Sequence, residues 1–307
     1  MRIFVTGASG WIGSALVPEL IDAGHQVLGL ARSTDSAEAL TAAGAEVVRG
    51  TVDDLDLLGT TAAASDGVVH LAFKHDVAFT GDYKGAAEAD RRAVDTFGDA
   101  LAGSERPFVL ASGLAGLKPG QVSTERDLPT IDGSPTSLRA ATSTAALALA
   151  SRGVRSSVVR LAPTCHGEGD NGFMATLVGI ARAKGVSGYI GDGANRWAAV
   201  HRLDAARLFR LAVEKAPAGA VLHGAAEEGV AVRDVAEVIG RHLDVPVTSV
   251  APDAAAEHFG WLGAFLGFDA PASSALTRES LDWRPTRPDL LEDLAKGHYF
   301  SGSAGAA

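Results

Sequence analysis

The chain opens on MRIFVTGASGWIG, and that stretch constrains the fold more than any other part of its 307 residues. Arg2 to Thr6 is a short apolar run, Gly7, Gly10 and Gly13 follow at three-residue intervals, and the apolar residues from Ala15 to Ala23 take helical spacing. Strand, tight turn and helix in that order make a cradle for phosphate. Gly7 suits a turn that needs unusual backbone angles. Gly10 has no side chain to block a pyrophosphate, and Gly13 lets the helix lie close on the strand. With Ser9, Trp11 and Ile12 between them, the loop offers exposed N–H groups and the positive end of a helix dipole to the phosphates. Three glycines alone could merely make a turn; between a strand and a helix they are a specific signal.

The next strand reads Gln26 to Ala31 and ends in Ala31-Arg32-Ser33. An acid at that point would bond the ribose 2′-hydroxyl of NAD, whereas an arginine accommodates a 2′-phosphate. Arg32 stands there without an acid, so NADP(H) is the preferred cofactor and NAD(H) the second; the plain alternative for Arg32 is a solvated loop charge. Further on, helices at Ser36 to Ala43, Leu55 to Ala64 and Ala86 to Ala102 alternate with strands at Glu46 to Arg49, Gly67 to Leu71 and Pro107 to Ala111. A helix from Ser137 to Ser151 and a strand from Ser156 to Leu161 continue the rhythm. Such alternation predicts an α/β fold, a Rossmann-type doubly wound parallel sheet. Ligands in these sheets sit at the carboxyl ends of the strands, which directs attention to Ala72 to Asp76, Ser112 and Gly113, and Pro163 to Gly167.

A formal net charge of −10 with no Lys/Arg block argues against nucleic acid and anionic membrane as partners. A small molecule is the expected partner. Cys165 is the only cysteine, so no internal disulfide or cysteine metal cluster exists, and its plainest role is a small buried hydrophobe. No H-E-x-x-H, Cys/His spacing or carboxylate cluster of ligand geometry appears, and no metal is expected. The glycine-rich strand starts at Met1 and no apolar run approaches the roughly 18 residues of a membrane span, so a cytoplasmic location is expected. Past Leu161 glycine clusters loosen the rhythm, which predicts a smaller C-terminal substrate-binding domain. Residues 1–162 and 197–224 would then hold the dinucleotide, 163–196 and 225–300 the substrate, and 301–307 would be a frayed tail.

TGASGWIG, Asp66-Gly-Val-Val-His-Leu-Ala72, the segment from Gly191 to Asp204 and Leu281-Asp-Trp-Arg-Pro285 together resemble the extended short-chain dehydrogenase/reductase superfamily, which includes nucleotide-sugar epimerases and dehydratases. The resemblance implies a strand end at Leu71, Ala72 and Phe73 beneath the nicotinamide ribose, a cofactor contact at Pro163, and a homodimer through the helices flanking the fifth strand. It also implies a Tyr-x-x-x-Lys pair on the helix after that strand. The lysine would lower the tyrosine pKa, and spacing of four puts both on one helix face. This chain has only Tyr83, Tyr189 and Tyr299, followed four residues later by Ala87, Gly193 and Ser303, so the pair is missing. Arg139 lies near the tyrosine position and Ser143 near the lysine position, while the family's serine maps on Ser112 or Gly113. The whole pattern resembles the atypical branch of the superfamily.

His75 is the leading replacement acid, because it follows the nicotinamide-facing strand and imidazole titrates near neutral pH; a surface loop histidine is its equal alternative. The candidate catalytic set is therefore His75, Ser112 and Arg139, the last able to polarise an oxygen but not to give up a proton. His166 reads as a pocket wall, His201 as a structural hydrogen-bonding residue and His70 as a satisfied core residue. Trp261, on a candidate helix from His258 to Phe265, could line a substrate pocket and would favour an apolar surface. These features point to an NADPH-dependent oxidoreductase acting on a small, partly apolar carbonyl, imine or activated alkene. The competing readings are a non-catalytic NADP(H)-binding regulatory protein and an enzyme like the nucleotide-sugar epimerases and dehydratases.

Overall fold

The computed structural model describes residues 1–114 and 117–301, apart from the side chains of Phe79, Pro135 and Thr136, so 302–307 of the expected tail lie outside the described residues. Strands β1 (Arg2–Thr6), β2 (Gln26–Ala31), β3 (Glu46–Arg49), β4 (Gly67–His70), β5 (Pro107–Gly113) and β6 (Arg155–Leu161) come first. They alternate with helices α1 (Gly13–Asp22), α2 (Thr34–Ala42), α3 (Leu55–Ala63), α4 (His75–Phe79), α5 (Tyr83–Leu101) and α6 (Pro135–Ala148). Strands β7 (Thr164–His166), β8 (Ser187–Ile190), β9 (Arg196–His201), β10 (Ala220–Gly224), β11 (Glu227–Ala231) and β12 (Val247–Val250) follow. Their helices are α7 (Phe173–Lys184), α8 (Arg202–Lys215), α9 (Val232–Leu243), α10 (Ala255–Phe259), α11 (Gly263–Leu266), α12 (Ala275–Leu281) and α13 (Leu290–Ala295).

Seven strands form one sheet in the order β10-β6-β5-β4-β1-β2-β3, every described pairing parallel. This is the doubly wound α/β fold. Its chain steps outward from β1 to β3, then returns to β4 on the other side of β1, so the strand order reverses between β1 and β4. The crevice beyond their carboxyl ends is where such a sheet receives a ligand.

Apolar residues on both faces of the strands explain why they read as unbroken hydrophobic runs. Val5, Val69, Val109 and Val159 meet Leu16 and Leu20 of α1 and Phe209 of α8 on one face. Phe4, Val68, Phe108 and Val158 meet Leu58 of α3, Phe97 of α5 and Ala146 of α6 on the other. A further core, in a smaller C-terminal portion, gathers Leu177 and Val178 of α7, Val235 and Ile239 of α9, Phe259, Leu262 and Trp197. There β9 pairs with β11 and β7, and β12 pairs with β8. The helix expected from His258 to Phe265 is instead α10, a single 3-10 turn at Gly260–Leu262 and α11. Gly260 takes a left-handed φ of 58°, a conformation that ends a helix rather than continuing it.

Candidate active site

The turn between β1 and α1 is built for close approach. Gly7 has a φ of 65°, and a Cβ there would stand 2.8 Å from the backbone nitrogen of Ala72, where β4 ends. A Cβ on Gly13 would drive into the Gly7 carbonyl and stand 2.6 Å from the Ala8 carbonyl. Helix α1 has no side-chain cap and no acid in its first turn, so its positive end is left for an anion from outside the chain. Gly10 is exposed on this loop beside Ser9, while Trp11 and Ile12 are half-buried. These features fit a dinucleotide's pyrophosphate, with the loop from Gly7 to Gly13 as its seat.

At the far end of that groove Arg32, just past β2, pairs with Asp76 at 3.1 Å, both side chains well exposed. Lys74 pairs with Asp53 at 2.5 Å beside them. An acid from α4 thus holds Arg32. The Arg32 side chain is the first cause keeping the Asp76 carboxyl below the usual carboxylate range.

Between β1 and β4 the buried polar groups form one chain. The Ala72 N–H donates to Thr6 Oγ1 at 3.3 Å, Thr6 Oγ1 lies 2.6 Å from His70 Nδ1, and His70 Nε2 lies 3.2 Å from Asp90 Oδ1. Thr6 Oγ1 and His70 Nδ1 share a hydrogen bond, whereas His70 Nε2 and Asp90 Oδ1 face each other without forming one. His70 and Asp90, 1% and 5% exposed, so anchor the strand end that carries Ala72 and Phe73.

Phe73 is the centre of what stands above that end. The Arg139 guanidinium lies over its ring, 4.0 Å from the centroid, the His75 ring stands edge-on at 5.0 Å and Tyr83 sits tilted at 5.8 Å. Arg139 reaches there from α6 and donates to the Ala111 carbonyl of β5 at 3.0 Å. Ser143, one turn along α6, has its hydroxyl 2.8 Å from Ser112 Oγ and 3.0 Å from the Arg139 carbonyl. One hydroxyl proton serves only one of the two contacts, and donation to Ser112 leaves the Ser112 proton for a ligand. The structure thus brings His75 and Arg139 to the Phe73 ring, and Ser112 to Ser143 one turn along the Arg139 helix.

Electrostatics there separate the two titratable rings. His75 is exposed as a residue, yet protein crowding around its ring, followed by the Arg139 guanidinium, holds the imidazole below its ordinary value against the pull of Asp76 and Asp90. Burial pushes the Tyr83 phenol above its ordinary value, with Arg139 opposing. Around neutral pH the ring is mostly neutral and the phenol keeps its proton. A search for lysine four residues along one helix misses Tyr83, because the cation beside it comes from α6. Arg160 and His223, level with Ser112 across β5, β6 and β10, were equally out of sight; Arg160 is buried and donates to the Asp127 carbonyl at 2.9 Å.

The residues expected to meet substrate from the C-terminal side fall differently. His166 is 0% exposed and bonds Asp293 at 3.0 Å, so the pocket wall expected there is a buried pair. His201 caps α8 by accepting from the Leu203 N–H. Trp11 donates its indole N–H to the Cys165 carbonyl at 2.8 Å, just beyond Pro163, and Arg202 lies over its ring. Burial pushes the Cys165 thiol up to about 12, which makes it inert as a nucleophile. Trp261 is 50% exposed in an aromatic group with Phe173 and Phe265, next to Phe268 at 51%. The loop after β5 is stitched to this side: Gly120 N–H bonds the Asp269 carbonyl, Ser123 N–H that of Pro271. It carries Leu128 and Ile131, exposed at 81% and 56%. Among the described residues, no group of three or more His, Cys, Asp or Glu could hold a metal, and no helix is long and apolar enough to cross a membrane.

The sequence model of the NAD dependent epimerase/dehydratase family matches residues 3–223. A Schizosaccharomyces pombe protein described as uncharacterized is 47% identical over 302 residues, covering 98% of this chain and 100% of its own. One from Saccharomyces cerevisiae, described in the same way, is 45% identical over 296 residues, covering 96% and 98%. Among solved structures, the dTDP-glucose 4,6-dehydratase DesIV from Streptomyces venezuelae, with NAD bound, aligns over 97% of this chain and 96% of its own with a TM-score of 0.77. At 22% identity that likeness is one of fold.

Proposed function

Because the chain belongs to the NAD-dependent epimerase/dehydratase family, we propose that it is an NADPH-dependent oxidoreductase that reduces a small, partly apolar carbonyl, imine or activated alkene. Gly7 to Gly13 would seat the pyrophosphate, Arg32 the 2′-phosphate, and Leu71 to Phe73 with Pro163 the nicotinamide half. When bound, the cofactor supplies hydride. The residues of the chain do the rest. Arg139 and the Ser112 hydroxyl draw electron density onto the acceptor oxygen or nitrogen, and a proton arrives from the side of Phe73 where His75 and Tyr83 stand.

One observation carries this reading: the arrangement of Arg139, His75 and Tyr83 around Phe73, which follows β4, with Ser112 hydrogen-bonded to Ser143 one turn along α6 from Arg139. A protein that only bound the nucleotide would have no use for a permanent cation and two proton carriers there. We assign residues 1–162 and 197–224 to the dinucleotide and 163–196 and 225–300 to the substrate, supported by the separate C-terminal core. Exposed Trp261, Phe268, Leu128 and Ile131 favour apolar substrate surface over a bare sugar phosphate. The test is NADPH consumption, followed by its absorbance, over a panel of ketones, imines and enones. Turnover of at least one class supports the reading; tight NADPH binding with none across the panel would make this a cofactor-sensing protein.

A further inference from the structure

A cavity of about 280 Å³ lies where the start of α8 meets the segment leading into α13, and its lining includes His201, Arg202, Arg287, Asp293, Lys296 and His298. It shares no lining residue with the cluster around Phe73. Its charge is unusual for a chain with a net charge of −10. Arg202, Arg287 and Lys296 face two acids, Glu168 and Asp293. Asp293 is already committed, because its oxygens lie 3.0 Å from His166 and 3.2 Å from His298, with Lys296 no nearer than 3.9 Å.

Among the described residues no carboxylate forms an ion pair with Arg202 or Arg287, and Lys296 reaches only the shared Asp293. Arg202 spends its N–H groups on the Ser14 hydroxyl at 3.0 Å and the Glu168 carbonyl at 3.4 Å, and its buried Nε has no partner. Arg287 stands close enough to His201 to help depress that imidazole, which burial holds at about 4. Helix α8 adds its positive end. Its N-cap His201 accepts from the Leu203 N–H, and its first-turn acid Asp204 is buried and accepts from the backbone N–H groups of Thr286 and Arg287. Converging guanidinium and ammonium groups with a helix N-terminus suit a compact, multiply charged anion. A volume of about 280 Å³ admits a phosphate or small phosphomonoester.

We propose that this cavity is a second binding site, for a small phosphate-bearing anion, behind the nucleotide loop. Arg202 joins the two places, since its guanidinium lies 4.1 Å from the centre of the Trp11 ring. The proposal is independent of the reductase reading.

Calorimetric titration at fixed ionic strength tests it, with inorganic phosphate and glycerol phosphate added to protein already saturated with NADPH. Occupying the nucleotide loop beforehand removes binding there. Saturable binding is expected, weakened about tenfold or more in the Arg287→Gln/Lys296→Gln double variant. Both side chains are exposed, and a melting curve checks that the variant is folded. Tighter binding of the ester names an esterified ligand, and equal binding names the free ion; both support the site. No saturable binding with NADPH present, or unchanged affinity in a folded double variant, overturns it.

Discussion

Replacing Arg32 by alanine separates the two nicotinamide cofactors. The side chain is 71% exposed and pairs with Asp76 at 3.1 Å, so it contributes nothing to the core and its loss acts on the groove alone. A hydrogen bond to a charged group contributes about 1.5–3 kcal/mol, and an exposed one falls near the bottom of that range. Arg32→Ala should therefore weaken NADPH by roughly ten- to thirtyfold, since about 1.4 kcal/mol is tenfold. NADH has no 2′-phosphate and should be held almost as before. Asp76 sharpens the test. If Arg32 holds the 2′-phosphate, Asp76 competes for it, so Asp76→Asn should tighten NADPH and leave NADH unchanged, and in the Arg32→Ala background it should lose that effect. Fluorescence titration of both cofactors against the four proteins gives every value. Equal losses for NADPH and NADH in Arg32→Ala would remove the 2′-phosphate role, and an Asp76→Asn effect that survives without Arg32 would remove the competition.

The proton carriers are told apart by substitution at each. If His75 relays the proton, His75→Ala lowers turnover and alters its pH profile with cofactor affinity intact; if Tyr83 is the donor, Tyr83→Phe does so instead, and a variant with an unchanged profile is cleared of the role. Stability should fall in mild acid. Burial holds His201 and His223 at about 4, below the ordinary 6.5, so the unfolded chain binds more protons than the folded one across that interval. Stability is then fully present above 6.5 and lost as pH falls toward about 4. Thermal unfolding across that window should show the decline, and His223→Gln should make it shallower; a flat melting temperature would contradict both depressed values.

Most of the sheet was legible because its signals are local. Parallel strands covered on both faces leave continuous apolar runs, and the helices between them show a polar face. Where the structure departs from the sequence reading, the cause is a contact between distant segments. The stretch from His258 to Phe265 has helical composition, yet a Cβ on Gly263 would stand 2.6 Å from the Ala255 carbonyl, so tight packing against α10 decides its path. Tyr83 gains its cation from another helix across a phenylalanine ring, a relation that no spacing rule along one helix can find.

His166 shows the limit at the scale of one residue. Its position past β6 reads as a pocket wall, but successive side chains on a strand point to opposite faces, and the ring is fully buried. In β7 Thr164 and His166 are buried while Cys165 is half-buried, and it is the Cys165 carbonyl that meets Trp11 of the nucleotide loop. A three-residue strand has too few positions for alternation to show which face is which. The partner that claims His166 is Asp293, itself 2% exposed and shared with His298. An imidazole turned inward onto that carboxylate ties β7 to α13. The two histidines therefore differ in setting: His166 is buried on Asp293, and His75 at the start of α4 is exposed.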